Sequence, residues 1–269
     1  MYWLQALILG LVQGLTEFLP ISSTAHLRVV PHFLGWDDPG AAFSAVIQLG
    51  TLAAVFAYFT ADVKRLVVAA LQGVVHRSFN YNPDCRMAWS IAVGTVPIAV
   101  LGLGGRDFIE TEARQLPLIA ASLIVLALFL ILAERVGRRE RTMQDLGFWS
   151  IQFIGLCQAL ALIPGCSRSG STIMGGLFVG LQRQDAARFS FLLGLPAIGA
   201  SGLLQLFALL EGGLGSAGLL SLGLGILAAA VSGYLSIGFL LRFLQRHGTY
   251  SFAAYRILLG GLIFYSLYG

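Results

Sequence analysis

The sequence predicts an all-α polytopic membrane protein, with six transmembrane helices and two re-entrant helical hairpins in an inverted-topology repeat. Three observations lead to this prediction. The 269 residues are 57% hydrophobic and 11% charged, with a mean hydropathy of +0.81, whereas soluble proteins carry about 25% charged residues. Several apolar segments reach the roughly 17 to 25 residues that span a bilayer. Two shorter apolar segments are interrupted by polar breaks that contain proline.

The long apolar segments define the predicted spans. Each is bounded by charged residues, glycine or proline, as expected where a helix leaves the hydrocarbon. Residues 66–75, inside a polar connection, are predicted to form an interfacial helix. The six predicted spans are residues 43–58, 88–104, 117–133, 189–210, 219–241 and 252–267.

Each predicted hairpin consists of two short apolar pieces around a polar break. The first break is residues 21–26, which follow Pro20 and carry three hydroxyls and a histidine; the second is residues 164–172. Neither flanking piece is long enough to span the membrane alone. Non-helical backbone at membrane depth is stable only where it is buried in protein or lines a water-filled cavity. A polar loop between two ordinary helices is the simpler alternative.

The basic residues set the topology. The loops 62–86, 134–146, 182–188 and 242–249 hold 12 of the 17 Lys and Arg residues, so the positive-inside rule places them in the cytoplasm. The order then requires the first hairpin to enter from outside, the second from inside, and both termini to lie outside. The first residues show neither a charged leader nor an A-x-A site, so no cleaved signal is expected.

The two hairpins also resemble each other in sequence. Residues 10–13 and 155–158 share Gly, Leu and Gln at matching positions, and without a gap residues 22–24 fall on residues 167–169. The chain is therefore predicted to be a single integral membrane domain, 1–269, with inverted repeats at about 1–134 and 147–269, a plan common in secondary transporters. Chance is the alternative, because Gly, Leu and Ser are abundant here.

Other functional classes find little support in the composition. The net charge of +4 comes from residues at segment ends, so no nucleic-acid partner is expected. The three cysteines, Cys85, Cys157 and Cys166, show neither metal-site spacing nor an even number for a disulfide framework.

If the hairpins meet, their polar side chains share one cavity, and these side chains are the candidate site. An ionisable group at membrane depth costs about 2.5 to 3.5 kcal/mol on insertion scales, which a function or mutual pairing would offset. Glu17 can alternatively serve only to neutralise Arg168, and His26 can be an ordinary interfacial histidine. The candidates are Gln13, Glu17, Ser23 and His26 from the first hairpin and Ser167, Arg168, Ser169 and Thr172 from the second.

These residue types suit phosphoryl transfer. Arg168, with hydroxyl and backbone donors, can bind a phosphate and neutralise its charge. Ser23 or a water can attack, with His26 as base and later acid. Glu17 can orient His26 or hold a divalent cation. A lipid or anion transporter or flippase using the same cavity is the rival prediction from the repeat.

The residues around these candidates resemble a known family. Residues 13–26, QGLTEFLPISSTAH, look like a first motif of the form (E/Q)xxxE followed by proline, serines and histidine, and residues 164–172, PGCSRSGST, look like a second, PGxSRSxxT. The family is undecaprenyl-diphosphate phosphatase of the bacitracin-resistance type. Two departures stand out: Gln13 replaces the commoner glutamate, and Ala25 stands where glycine is usual.

The resemblance implies an enzyme that converts undecaprenyl diphosphate into undecaprenyl phosphate and inorganic phosphate, recycling the carrier lipid for cell-wall synthesis. It implies catalytic roles for Glu17, Ser23, His26 and Arg168, and a bacterial cytoplasmic membrane location with the site facing the periplasm. It also implies stimulation by magnesium or calcium, with Glu17 the candidate ligand, and no organic cofactor. A homodimer is expected from the resemblance and from the glycines Gly223, Gly225 and Gly233.

Overall fold

The computed structural model describes residues 3–105, 109, 111–211 and 218–269. Within these residues the chain forms α-helices, three single 3₁₀ turns and no β-strand. The predicted all-α class is confirmed. The helices are α1 (Trp3–Glu17), α2 (Ser23–Leu34), α3 (Gly40–Tyr58), α4 (Thr60–Val75), α5 (Pro83–Gly104), α6 (Leu116–Val136), α7 (Phe148–Ala159), α8 (Arg168–Phe178), α9 (Arg183–Glu211), α10 (Gly218–Arg246) and α11 (Tyr250–Tyr268).

Six of these helices, α3, α5, α6, α9, α10 and α11, are long and apolar enough to cross a membrane. Each contains one of the six spans predicted from the sequence, so the predicted number and order of spans are confirmed. Their outward faces are rich in exposed leucine, valine and phenylalanine, as expected where lipid replaces water as the solvent. The protein is a multi-pass membrane protein.

Two pairs of short helices flank the predicted breaks. Helices α1 and α2 have 15 and 12 residues, and α7 and α8 have 12 and 11, below the length that spans a bilayer. Residues 18–22 separate the first pair, and a 3₁₀ turn at Leu160–Leu162 followed by residues 163–167 separates the second. The structure therefore has a helix–break–helix at each predicted site, while re-entry from one membrane face remains a prediction.

The two hairpins pack against their neighbours through equivalent close contacts. Helix α1 lies along α10, where a Cβ added to Gly10 would lie 2.3 Å from the carbonyl oxygen of Gly225. Helix α7 lies along α5, where a Cβ added to Gly155 would lie 2.2 Å from the carbonyl oxygen of Gly94. Gly10 and Gly155 are the residues that the sequence repeat aligns. The contacts agree with an inverted repeat, which remains a prediction together with its boundaries.

The basic loops meet at one end of the bundle. The carboxylate of Glu134 contacts Arg139, Arg183 and the hydroxyl of Thr249. Asp62 in turn pairs with Arg188 at 2.6 Å. These contacts connect all four loops that the positive-inside rule assigns to one side. The arginines expected only to set topology thus also hold the helix ends together.

The glycines used to predict a dimer serve internal packing. Gly225 lies against Ile47 and Phe43 of α3, and Gly233 lies against Phe18. Only Gly223, of the three, has open space beside it. Small residues let helices approach closely, and here two of them do so within one chain. The homodimer therefore keeps only the family resemblance as its basis.

Candidate active site

Each break ends in a serine that starts the following helix from a strained backbone conformation. Ser22 caps α2 with φ 75° and ψ 96°, and its Oγ accepts from the N–H of Ala25 at 3.4 Å. Ser167 caps α8 with φ 66° and ψ 122°, and its Oγ accepts from the N–H of Gly170 at 3.1 Å. Serine is a preferred N-cap residue, but a positive φ disfavours any residue except glycine. The two breaks thus share one local structure.

The residues after these caps converge on Glu17. Ser23 is the first residue of α2, and its Oγ donates to Glu17 Oε2 at 2.5 Å. Arg168 is the first residue of α8, and its guanidinium donates to Glu17 Oε1. The structure therefore brings one residue of each hairpin onto the two oxygens of a single buried carboxylate, as the predicted meeting of the hairpins requires.

Gln13 completes the surroundings of Glu17. It lies one helical turn earlier on α1, is fully buried, and its Nε2 donates to Glu17 Oε2 at 2.7 Å. Its Oε1 has no partner among the described residues. An unpaired buried carbonyl costs about 1 to 3 kcal/mol, so this atom is available to a ligand or water.

Ser169 connects the two breaks through backbone contacts. Its Oγ lies 3.1 Å from the carbonyl oxygen of Glu17 and 3.0 Å from that of Leu19, and 3.1 Å from Ser167 Oγ. Because carbonyls only accept, the Ser169 proton points at the first hairpin. Ser169 therefore holds the two halves of the site together, while Ser167 has its hydroxyl proton left for Ser169 or a ligand.

Thr172 does not face the Glu17 cluster. Its Oγ1 lies 2.7 Å from the carbonyl oxygen of Arg168, one turn earlier in α8, and 2.5 Å from Ser190 Oγ of α9. A threonine in a helix often bonds back to the preceding turn. The structure thus places this predicted binding residue behind the site, where it orients α8 against α9.

His26 lies three positions after Ser23 on α2, but the described hydrogen bonds of the two side chains go to different partners. Its Nδ1 lies 2.7 Å from the carbonyl oxygen of Ser22, and its Nε2 lies 2.6 Å from the hydroxyl of Tyr255. The same Ser22 carbonyl also accepts the backbone N–H of His26 at 3.2 Å, so the imidazole turns back along its own helix and shares this acceptor. The hydrogen-bond partner of Ser23 is Glu17, so the prediction of His26 as the base for Ser23 does not match the observed geometry.

Arg256 is a central residue that the sequence reasoning missed. It is fully buried in α11, and its guanidinium donates only to backbone carbonyls among the described residues. These include Pro20 of the first break at 3.1 Å and Gly165 of the second at 2.8 Å. A charged residue four positions inside the apolar segment 252–267 was the available signal, because an intramembrane charge usually has a specific partner. Tyr255, beside it, carried no such signal.

Further unpaired polar atoms lie on the second hairpin. Gln158 and Ser171 are fully buried, and neither the amide atoms of Gln158 nor Ser171 Oγ has a hydrogen-bond partner among the described residues. Gln158 aligns with Gln13 in the sequence repeat, but Leu162 stands where the first hairpin has Glu17. The two halves of the site are consequently asymmetric, with the carboxylate on the first only.

The donor set around Glu17 does not form a protein-held metal site. No group of three or more His, Cys, Asp or Glu side chains lies together among the residues that the structure describes. Glu17 is the one carboxylate of the cluster, and Arg168 already neutralises it. Mg²⁺ and Ca²⁺ require several oxygen ligands, and the described residues offer no second carboxylate beside Glu17. The role of Glu17 as a metal ligand stays a prediction, with further ligands to come from substrate or water.

The arrangement has the chemistry of an anion site with an activated hydroxyl. Two helix N-termini meet at Glu17, and such ends favour negative charge. Arg168 adds a positive charge, and Ser23 adds a hydroxyl that is already hydrogen-bonded to a carboxylate. A nucleophile paired with a base beside an oxyanion-stabilising group is the arrangement that group transfer requires.

Comparison with known proteins gives consistent matches along almost the whole chain. A curated undecaprenyl-diphosphatase of Chlorobaculum tepidum is 52% identical over 268 residues, covering 96% of this chain and 95% of that protein. Proteins of the same name from Chloroherpeton thalassium and Myxococcus xanthus are each 51% identical, covering 96% and 97% of this chain and 94% and 87% of theirs. The family described as bacitracin resistance protein BacA matches residues 6–262. This chain belongs to the BacA family.

Proposed function

We propose that this protein is an undecaprenyl-diphosphatase, which hydrolyses undecaprenyl diphosphate to undecaprenyl phosphate and inorganic phosphate. The observation that carries the proposal is the double contact of Glu17, which accepts from Ser23 of its own hairpin and from Arg168 of the other. Relatives of that name are 51% and 52% identical in sequence and match 96% of this chain. The membrane-embedded fold suits a substrate whose long prenyl chain stays in lipid.

The terminal phosphate of the substrate binds at the shared ends of α2 and α8. Glu17 itself is an anion held at this position, which indicates that the position favours negative charge. An entering phosphate competes with Glu17 for Arg168, and the guanidinium then neutralises the charge of the transferred group. Glu17, released from its ion pair, stays in hydrogen-bond contact with Ser23.

Ser23 is the proposed nucleophile, and Glu17 the proposed base. Glu17 takes the hydroxyl proton as Ser23 Oγ forms a bond to the terminal phosphorus. The bond from that phosphorus to the bridging oxygen breaks, and undecaprenyl phosphate leaves. Water then attacks the phosphoserine, Glu17 returns its proton to Ser23, and inorganic phosphate is released. In the alternative, Glu17 and Ser23 orient a water that attacks the same phosphorus directly.

A divalent cation fits this scheme as a counter-ion of the substrate. The diphosphate supplies several oxygen ligands, and Mg²⁺ commonly binds through phosphates and water with one or two carboxylates. The unpartnered Oε1 of Gln13 is one further oxygen at the edge of the cluster. The proposed steps at Ser23 and Glu17 do not depend on this ion.

The proposed location is the bacterial cytoplasmic membrane, with the site open to the periplasm. The relatives are bacterial, and the four basic loops gather at one end of the bundle, which the positive-inside rule assigns to the cytoplasm. The enzyme there would return carrier lipid to cell-wall synthesis and reduce the diphosphate form available to bacitracin. No observation specifically favours the transporter alternative, so it is not proposed.

The test is phosphate release from undecaprenyl diphosphate by the purified protein in detergent. We expect release by the wild type, and a loss of about 10²- to 10³-fold or more in kcat for Arg168→Ala, the scale for removing an oxyanion-stabilising donor. Arg242→Ala, an exposed arginine at the end of α10, is the matched control and should release phosphate normally. A wild type that releases no phosphate, or full activity in Arg168→Ala, would refute the proposal.

A further inference from the structure

His26 and Tyr255 form a hydrogen-bonded pair whose proton positions can be assigned. The carbonyl of Ser22 can only accept, so His26 Nδ1, 2.7 Å away, carries a proton. In a neutral ring Nε2 is then the acceptor, and the Tyr255 hydroxyl, 2.6 Å away, donates to it. The two ring planes are nearly parallel, with 6° between them and 5.6 Å between the ring centres.

The pair differs sharply in access to the surroundings. His26 is 8% exposed, whereas Tyr255 is 40% exposed. Both nitrogens of His26 already have partners, one in its own helix and one in α11. A substrate can therefore exchange a proton with His26 only by displacing the phenol or by using it.

The proposed reaction does not use His26 as the base for Ser23, but it requires a proton donor for the leaving group. Ser23 already has Glu17 as a base, so His26 is not needed to activate it. The departing prenyl phosphate, however, gains negative charge at the bridging oxygen as the bond breaks, and a general acid there accelerates transfer. Arg168 and Gln13 are weak acids engaged with Glu17, and the Ser167 hydroxyl is also a weak acid. Glu17 holds the proton that it returns to Ser23 in the second step, so the proposed scheme leaves the leaving-group proton to another donor.

We propose that the Tyr255 hydroxyl relays a proton from His26 to the bridging oxygen of the leaving prenyl phosphate. This inference rests on the proposed function. With His26 protonated, Nε2–H donates to the phenol oxygen, and the phenol donates to the bridging oxygen. As the bond between phosphorus and bridging oxygen breaks, the phenol gives up its proton to that oxygen and receives the Nε2 proton. Tyr255 is unchanged afterwards, His26 is neutral, and the pair has the hydrogen bonds seen in the structure. His26 takes up a proton from solvent before the next turnover.

The relay makes Tyr255 a catalytic residue that neither sequence motif contains. It also explains why α11, the last helix, belongs to a site built from two distant hairpins. Tyr255 reaches His26 of the first hairpin, and the neighbouring Arg256 binds the carbonyls of both breaks. One helix therefore fixes the backbone of the site and completes its proton path.

The test is steady-state phosphate release by Tyr255→Phe, which keeps the ring and removes the hydroxyl. We expect kcat to fall about 10- to 100-fold, within the range for losing a general acid, while KM stays within about threefold. Tyr265→Phe, an exposed tyrosine of the same helix, is the control and should behave as the wild type. Normal kcat in Tyr255→Phe, in a wild type that releases phosphate, overturns the relay and leaves the proposed function intact.

Two further measurements separate a relay from a packing role. The double variant His26→Ala with Tyr255→Phe should be no slower than His26→Ala alone, because serial members of one proton path are not additive. In mixtures of H₂O and D₂O, the wild-type rate should depend nonlinearly on the deuterium fraction, since two protons move together in the relay. The relay is rejected if the losses of the two single variants multiply in the double variant, or if the rate depends linearly on deuterium fraction. A wild type without phosphate release would reject the proposed function instead.

Discussion

Ser23 Oγ and Glu17 Oε2 lie 2.5 Å apart, with the serine at the start of one helix and the glutamate at the end of the helix before it. The break between them reverses the chain so that both side chains reach the same point. Ser169 of the other hairpin donates to the carbonyls of Glu17 and Leu19 and thereby holds this break in position. The nucleophile and base of the proposed reaction are thus prearranged before substrate enters.

The first prediction concerns Ser23. Ser23→Ala removes the proposed nucleophile without changing the backbone, so kcat should fall by about 10²- to 10⁴-fold or more, as for other activated nucleophiles. The wild type, quenched in acid during turnover of substrate labelled in its terminal phosphate, should carry label on a peptide containing Ser23. Both the rate and the labelled peptide should be measured.

Ser44→Ala is the control for Ser23, because Ser44 is also buried and its hydroxyl donates to the Gly40 carbonyl of its own helix. It should retain normal activity. If Ser23→Ala keeps activity within about tenfold of the wild type and no phosphoserine is trapped, water is the nucleophile and Ser23 only orients it.

Gln13 allows a second prediction about the divalent cation. Gln13→Glu restores the residue implied by the family motif and places a second carboxylate about 2.7 Å from Glu17 Oε2, where Nε2 now donates. Two carboxylates so close cannot both stay ionised without a cation between them. Phosphate release by Gln13→Glu should therefore depend more strongly on magnesium or calcium at neutral pH than release by the wild type does.

The measurement for Gln13 is a cation titration of both proteins after treatment with a chelator. The expected result is a larger ratio of rates with and without cation in the variant. Gln158→Glu is the matched control, because Gln158 holds the aligned position in the second hairpin, where Leu162 replaces the carboxylate. Equal cation stimulation in the wild type and Gln13→Glu would contradict the prediction.

Part of this site follows directly from the sequence. A buried Glu17 and a buried Arg168 in an apolar chain needed partners, and the repeat between residues 10–24 and 155–169 indicated that their hairpins meet. Ser22 is also of the residue type preferred at a helix N-cap, and it precedes an apolar run. The energetic cost of a charge in an apolar segment and the capping preferences of a helix depend on local sequence, so both can be predicted from it.

The partners of His26 could not be obtained in the same way. Tyr255 is 229 positions away on the last helix, and nothing in its local sequence separates it from the other tyrosines of apolar segments. Thr172 shows the opposite error, because its place in a motif suggested the site while its helical face points to Ser190. The spacing of a motif shows which residues are close along the chain. Which other helix each side chain contacts depends on tertiary packing.

The third prediction concerns Arg256, whose guanidinium binds carbonyls of both breaks and of α6. Arg256→Met keeps a long side chain but leaves several buried carbonyls without donors, at about 1 to 3 kcal/mol for each unsatisfied group. We expect a loss of about 3 to 5 kcal/mol in the free energy of unfolding, the range of the more severe single substitutions. Arg256→Lys should recover part of it, since an ammonium reaches fewer carbonyls.

Thermal unfolding in detergent, followed by the loss of monodisperse protein, measures the effect of Arg256. Arg242→Met is the control, because Arg242 is exposed at the end of α10 and its replacement should leave the midpoint within a few degrees. An unchanged midpoint in Arg256→Met would show that the carbonyls find other donors, and the structural role given to Arg256 would then be wrong.

The last prediction uses the backbone strain at the two helix caps. Ser22 and Ser167 both have positive φ, and a non-glycine residue in such a conformation costs about 1 to 3 kcal/mol. Replacing a serine cap with glycine costs only a few tenths of a kcal/mol, whereas alanine costs about 1 kcal/mol and keeps the strain. Ser167→Gly should therefore be more stable than the wild type by about 1 kcal/mol, while Ser167→Ala should be less stable. The restricted backbone of Ser167 also positions Arg168, the next residue, at the start of α8. Ser167→Gly should therefore lower kcat as well, because a more flexible backbone lets the guanidinium leave its position beside Glu17. Thermal midpoints and phosphate release of the two variants, measured together, decide this, and a glycine variant that is both less stable and fully active would contradict it.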